Sequence, residues 1–370
     1  MTFSLYMARQ FLMTILATLA VILVIVGLME LLELIRRAGD GNRSHGFFII
    51  LEMAALKLPI TAGKIYPFAF LIGGMVALSR LTRSSELVAA RAAGVSVWQF
   101  MLPGLAISLL LGLFFVGFVN PVGAAMVTRY DKMEARYYTN RPSTLSVSPT
   151  GLWLRQVQDG SFQFLGQNVH EYILNAWRMD PETQVMSSVI IFFFDDGGNF
   201  IGRIDAPSAT LGANILSVDQ ASMALPGLVP ENVGTYQVPT ELTIEHIQDS
   251  FLAPETLSFW ELPGFIGTLE SAGFSGMRHR LYWHSLLAQP FLLAGMVLLS
   301  AVFSLRQARR GQTGILIISG VVFGFLFYFT SNIIFALGAS GSLPVALAAW
   351  APSLAVIALA ASLLLHLEDG

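Results

Sequence analysis

Cysteine is missing from all 370 residues, and lysine occurs only three times, as Lys57, Lys64 and Lys132. The first absence removes disulfides, thiolate metal sites and a cysteine nucleophile together. It leaves the compartment open, because an exported domain can dispense with cysteine. The scarcity of lysine bears on phosphate chemistry. A nucleotide-binding P-loop needs a Lys preceded by Gly and followed by Ser or Thr, so that amides, ammonium and hydroxyl cradle phosphate and Mg²⁺. Gly63-Lys64-Ile65 is the nearest approach, and it lacks the hydroxyl and the upstream glycine. Nucleotide hydrolysis is therefore not expected here, and neither is a cofactor in this chain. The histidines (His45, His170, His246, His279, His284, His366) show no zinc-protease spacing, and no Gly-x-Ser-x-Gly elbow occurs. Charge is sparse as well, at 12% of residues, where a soluble domain averages about 25%. With a net charge of −3 and no basic tail, nothing invites nucleic acid.

What fills the space is apolar: 54% of residues are hydrophobic. A helix needs about 20 consecutive apolar residues to cross hydrocarbon, at about 1.5 Å per residue. The run from Phe11 to Ile35 exceeds the roughly 7–15 residues of a signal-peptide core and ends in no small-residue cleavage site. It is expected to be a retained first crossing, Leu12 to Leu34. The second is expected over Leu58 to Leu81, interrupted by Pro59 and Pro67 and containing Lys64. The third has its core at Phe100 to Val119 and is expected to end at Asn120-Pro121. The fourth covers Leu281 to Leu305. From Arg310 to Glu368 no charged residue appears, and the Gly338 to Pro344 turn divides this interval into Ile315 to Leu337 and Val345 to Leu365. Phe323, Phe325, Phe327 and Phe329 cannot share one helical face, so they do not form one binding stripe.

Between crossings three and four, from about Tyr138 to Leu262, polar residues return and the period drops towards two. Leu152 to Val157, Ser161 to Leu165, Val189 to Phe194, Asn199 to Ile204 and Ala213 to Leu225 are expected as strands. Asp159-Gly160 and Asp195 to Gly198 mark tight turns between them. The consecutive apolar residues Val189 to Phe194 predict burial on both faces. A β-sandwich of about 120 residues fits this pattern, and Ser258 to Ala272 follows as a short amphipathic helix. The fold class is thus a polytopic α-helical membrane protein: residues 1–137 with three crossings, an inserted β-domain at 138–262, and three more crossings at 263–370. An open sheet edge would let a partner add a strand; Gly151 to Val157 and Ala213 to Leu225 are the strands to probe.

Short loops rich in Lys and Arg stay inside. Arg9, then Arg80, Arg83 and Arg91, then Arg306, Arg309 and Arg310 lie on one side, although Arg36, Arg37 and Arg43 oppose the assignment. This orientation exports the β-domain. On the inner side, Ser79 to Gly94 is the most informative stretch. Ser84 is expected as N-cap, Glu86 in the first turn favours the helix dipole, and Gly94 supplies the stop. A helix of two to three turns about 84–93 is either a passive linker or a coupling helix that docks on a soluble ATPase.

Arg83-Ser84-Ser85-Glu86-Leu87-Val88 followed by Arg91-Ala92-Ala93-Gly94 resembles the coupling segment of the LptF/LptG lipopolysaccharide-export permeases. Pro59 and Pro67, Asn120-Pro121 with Arg129-Tyr130, Gly151-Leu152-Trp153, Gln289-Pro290 and Gly324-Phe325-Leu326-Phe327-Tyr328 follow the same family in the same order along the whole chain. Gly-Leu-Trp and the Ser-Glu-Leu-Val version of the coupling segment resemble the LptG branch. The resemblance implies a bacterial inner-membrane permease with a jellyroll-like periplasmic domain. Its partners would be an LptF-like subunit, an LptB-like ATPase dimer that binds ATP and Mg, and LptC- and LptA-like β-jellyroll proteins. The cargo would be lipopolysaccharide. Ser84, Glu86, Leu87, Arg91 and Gly94 would form the ATPase-coupling site.

Anionic head-group phosphates would favour cations at the outer rim, where Arg36, Arg37, Lys64, Arg129, Lys132 and Arg136 are the candidates. Each has a plainer reading. Glu33 and Arg37 stand at i,i+4 and can pair within one helix, and long cations at a membrane interface snorkel without binding anything. Lys64 lies deeper, facing a cavity or paired with Glu30, a position where LptG relatives usually carry lysine. Two other classes stay open: a membrane anchor whose β-domain scaffolds partners, and a secondary transporter, which should show two similar halves that are not seen here.

Overall fold

The computed structural model describes residues 2–40, 46–134, 136–137, 145–148, 151–158, 162–180, 183–212, 214–240, 253–271, 274–307 and 313–369. Arg43, the Asp159-Gly160 turn, Arg309 and Arg310 lie outside the described residues. The chain divides into two compact units. The first comprises residues 1–140, 254–262 and 277–370, and the second residues 141–253 and 263–276.

The first unit is helical. Its elements are α1 (Thr2–Asp40), α2 (Phe47–Arg83), the short α3 (Glu86–Ala92), α4 (Val97–Phe114), a π-helical segment (Phe115–Val119) and α5 (Asn120–Glu134). After the β-domain come a 3-10 turn (Pro254–Thr256), then α7 (Met277–Gln307), α8 (Thr313–Ala339) and α9 (Val345–Asp369); α6 (Leu262–Ser271) belongs, past its first residue, to the second unit. Six helical spans are long and apolar enough to cross a membrane, with α4, the π segment and α5 forming one of them. The first two helices exceed the expected crossings, α2 beginning at Phe47 well before Leu58.

The third crossing does not end at Asn120-Pro121. Proline has no N–H and its ring pushes against the carbonyl four residues back, which here is Gly117. The wider π turn over Phe115–Val119 accommodates the mismatch. The carbonyl of Gly117 accepts a hydrogen bond from the Trp260 indole N–H at 3.3 Å. The helix therefore continues to Glu134.

Lipid tails are as apolar as the helices themselves, so small residues that permit close backbone approach set the packing. A Cβ on Gly112 of α4 would lie 2.5 Å from Cα of Pro290 on α7. Phe11, Ile15, Phe70, Leu71, Met75, Phe100, Met101 and Leu293 fill the core around such contacts. The phenylalanines of α8 split as their spacing requires: Phe323 and Phe327 pack on that core, whereas Phe325 and Phe329 face outward.

In the second unit the strands are β1 (Leu145–Ser148), β2 (Gly151–Val157), β3 (Gln163–Phe164), β4 (Gln167–Asn168), β5 (Glu171–Asp180), β6 (Val185–Phe194), β7 (Phe200–Leu211), β8 (Ile215–Ala224) and β9 (Glu231–Pro239). Seven pair antiparallel in the order β1-β2-β5-β6-β7-β8-β9, while β3 and β4 form a small hairpin. The two layers of the expected sandwich are the two ends of one curled sheet. They meet where the Gln156 amide oxygen accepts from the Tyr172 hydroxyl and, at 2.8 Å, from Thr240. Gln158 donates to the Pro239 carbonyl beside them at 3.1 Å.

Three details differ from the sequence reading. In β6, Val189, Ile191 and Phe193 are buried but Ile190, Phe192 and Phe194 are only half covered, so one face, not both, enters the core. Strands β2 and β8 have neighbours on both sides, leaving β1 and β9 as the edges. The short helix α6 (Leu262–Ser271) starts later than Ser258, because Ser258 and Glu261 first close a hydrogen-bonded turn. Those bonds hold the Glu261 carboxyl below its usual range. Leu269 of α6 and Phe274 beyond it complete the β core.

Gln156→Leu removes the acceptor shared by two buried hydroxyls, which costs about 1–3 kcal/mol. Hydrogen exchange should show β2, β5 and β9 losing protection while α7 keeps its own.

Candidate functional site

The stretch of α2 from Pro59 to Pro67 is punctuated by Gly63, whose missing Cβ would meet nothing within 4 Å. It faces a groove in the helical unit with two lobes, of about 300 Å³ and about 230 Å³. Phe115, Val119, Leu286, Leu292 and Phe335 supply apolar walls of the larger lobe. Asn120, Tyr282, Ser285, Gln289 and Asn332 supply polar points, and Glu255 lines the same lobe with a carboxylate. The smaller lobe continues past Phe327 and Tyr328 to Pro352 and Ser353 on α9. Gly63, Lys64 and Asn332 line both lobes, and Lys64 is the cation among the lining residues.

Asn120 is fixed at both ends of its amide. Its Oδ1 accepts from the Phe259 backbone N–H at 2.8 Å, and its Nδ2 donates to the Tyr282 hydroxyl at 3.3 Å. The side chain that marked the expected helix end is thus a wall of the groove. An apolar concavity with a few placed polar groups is the usual form of a small-molecule or lipid site.

Lys64 does not pair with Glu30. That carboxylate goes to Lys57 at 2.9 Å, and Lys57 also lies 5.7 Å from the Tyr130 ring centroid. The other cations singled out in the sequence are mostly compensated. Arg36 and Arg37 both reach Glu33 at 3.0 Å, and Arg37 also meets Glu134 at 3.6 Å. Arg129 pairs with Glu52. Arg136 stacks over Tyr137, and Lys132 is exposed. Glu33–Arg37 was legible from spacing. Glu52 and Glu134 were missed, because their partners come from other helices and no local pattern announces them.

The segment between α2 and α4 has a sharper geometry than expected. Ser84 is not the N-cap of α3: α2 runs on to Arg83, and the Ser84 hydroxyl turns back to the Leu81 carbonyl at 3.2 Å. Ser85, at φ 60, occupies the cap position and makes no side-chain capping bond. At the other end Gly94 adopts φ 82. Gly94 N–H donates to Arg91 and Val95 N–H to Ala90, the paired bonds that close a helix around a left-handed residue. Leu87 is buried in the helical core, Arg91 is exposed, and Glu86 accepts from the Tyr6 hydroxyl at 3.3 Å.

A model of the family "lipopolysaccharide export system permease LptF/LptG" matches residues 5–366. The chain belongs to this family. It is 26% identical to the lipopolysaccharide export system permease protein LptG of Escherichia coli (strain K12) over 339 residues, which is 89% of this chain and 88% of that protein. It is 24% identical to the LptG of Haemophilus influenzae over 361 residues, 96% of each.

In this LptF/LptG family member the singled-out residues form three groups. Glu86, Leu87 and Arg91 share one short helix, with Ser84 just before it and Gly94 just past its end. Arg36, Arg37, Arg129, Lys132 and Arg136 lie near the ends of α1 and α5, the first three with carboxylate partners. Lys64 stands apart from both, in the groove.

The natural absence of cysteine permits a clean test of the groove. Lys64→Cys and Asn332→Cys should label with a small membrane-permeant maleimide in the folded protein. Ser108→Cys, at a fully buried position, should label only after unfolding; if the two groove cysteines also labelled only after unfolding, the groove would be closed.

Proposed function

We propose that this chain is an LptG-type permease subunit of an ATP-driven exporter that takes lipopolysaccharide from the inner membrane. It would pair with an LptF-like subunit and an LptB-like ATPase dimer, the latter holding ATP and Mg. The β-domain would lie in the periplasm and hand lipid to LptC- and LptA-like jellyroll proteins. The observation that carries this reading is the apolar groove with Lys64 as its cation, in a chain of this family. Acyl chains match its apolar walls, and an anionic head-group matches an ammonium.

The α3 segment supports the ATP-driven part of the reading. It is a short helix joined to the packed end of α2, with one exposed face and one carboxylate in its first turn. A cation on the ATPase would meet Glu86 there. The competing reading, an anchor without transport, predicts no dependence of lipid release on ATP.

The test is the purified complex with its ATPase in lipid bilayers, with lipid release to a soluble acceptor measured in the presence and absence of ATP. Glu86→Ala should lower permease-dependent ATP turnover about ten- to a hundredfold, the effect of losing one charge-assisted hydrogen bond of about 1.5–3 kcal/mol. Lys64→Glu should weaken photocrosslinking of anionic lipid in the groove and leave assembly intact. ATP-independent release, or unchanged turnover in Glu86→Ala, would refute the coupling.

A further inference from the structure

Where α3 meets α1, one pair of side chains is hydrogen-bonded, and the next residue of each helix is buried. The Tyr6 hydroxyl donates to Glu86 Oε1 at 3.3 Å. Met7 and Leu87, the next residues along each chain, are both buried in the same core, together with Leu81, Val97 and Phe100. Tyr6 and Glu86 stay accessible, whereas Met7 and Leu87 are sealed in the apolar core. A tyrosine can serve both, since its ring packs while its hydroxyl reaches water or a partner.

We propose that Tyr6 is the positioning residue for Glu86, and that through it the ATPase-coupling helix is latched to the start of α1. The inference rests on the coupling role of Glu86 proposed above. An ionised carboxylate has about four lone-pair sites, so the Tyr6 bond leaves capacity for a cation from the ATPase. What the bond removes is rotamer freedom. α3 has no side-chain cap at Ser85 and only seven residues, so its own hydrogen bonds hold it weakly. Leu87 fixes its depth, and Tyr6 fixes the direction of its carboxylate.

The latch also determines what α3 can move. α1 is a single helix of 39 residues, roughly 58 Å long at about 1.5 Å per residue. Its far end is tied to α2 through Glu30–Lys57 and to α5 through Arg37–Glu134. A displacement of α3 is therefore delivered to a rigid element whose other end carries the rim cations.

The experiment uses the full chain assembled with its ATPase in bilayers, in four forms: wild type, Tyr6→Phe, Glu86→Ala and the double variant. Tyr6→Phe keeps the ring and removes only the hydroxyl. The expected result is a loss of about three- to tenfold in permease-dependent maximal ATP turnover, with KM for ATP unchanged because the nucleotide sits in another chain. The double variant should match Glu86→Ala alone. Wild-type turnover in Tyr6→Phe, with Glu86→Ala impaired, overturns the Tyr6 inference and leaves the coupling reading standing. Unimpaired Glu86→Ala overturns both. Additive losses show that Tyr6 acts without Glu86 and overturn its positioning role.

Discussion

At Gly73 and Gly74, α2 is held between α1 on one side and α7 on the other. A Cβ on Gly73 would lie 2.7 Å from Cα of Ile15, and one on Gly74 would lie 2.4 Å from Oγ of Ser300. No side chain larger than hydrogen fits either place without moving backbone or a buried serine. Between Ala69 and Leu78 almost every residue of α2 is buried, and close packing of this kind resists deformation. The other half of the helix is different. Pro59 and Pro67 each remove a backbone donor, Gly63 faces open space, and the groove lies alongside. One helix thus combines a stiff platform, from which α3 extends, with a looser half that lines the cavity. Both candidate functions, coupling and ligand contact, depend on that division.

The charges at the ends of α1, α2 and α5 follow a second rule. Surface ion pairs are worth about 0–1 kcal/mol each, and the partners here are well exposed: 73% and 37% for the Arg36–Glu33 side chains, 66% and 42% for Arg129–Glu52. Such pairs neutralise the cations at rest but cost little to exchange, so a phosphate could displace Glu33 or Glu52 without unfolding anything. Lys57–Glu30 is more covered, at 31% and 18%, and the Tyr130 ring adds a cation–π contact. Breaking it would strand a half-buried charge. The geometry therefore separates a structural pair, Lys57–Glu30, from exchangeable ones, and places Lys57 with the former.

Local patterns were legible in the sequence and non-local ones were not. Hydropathy located six crossings because length and apolarity are properties of one segment, and Gly94 announced the end of α3 for the same reason. Strand β9, Glu231–Pro239, was missed because most of it is exposed and carries no alternation. Strand β5 was missed although Tyr172, Leu174 and Ala176 alternate inward, since intervening Ile173 and Trp177 blur the period. The π turn was invisible because its cause, Pro121, lies beyond it and its remedy, Trp260, lies far along the chain. Tyr6–Glu86 and Arg129–Glu52 share that character: they join residues 80 and 77 positions apart. Candidate residue types could be chosen from the sequence, but which carboxylate silences which cation required the packed helices.

The β-domain carries the same tension between open and guarded chemistry. A curled sheet whose edge strands among the described residues are β1 and β9 can accept a partner's strand there, yet unguarded edges aggregate. Here β1 is only four residues long. β9 has Gly234 at φ 73, and the register of its pairing with β8 shifts around Ala221; such bulges twist an edge away from indiscriminate pairing. β9 then ends in Pro239, which has no N–H to donate. Between the irregularity and the proline only Tyr236 to Val238 form a regular run. If a neighbouring jellyroll adds to this edge, the register available to it is a few residues wide. Selectivity for a partner would then rest on those residues, with the rest of β9 acting to exclude others.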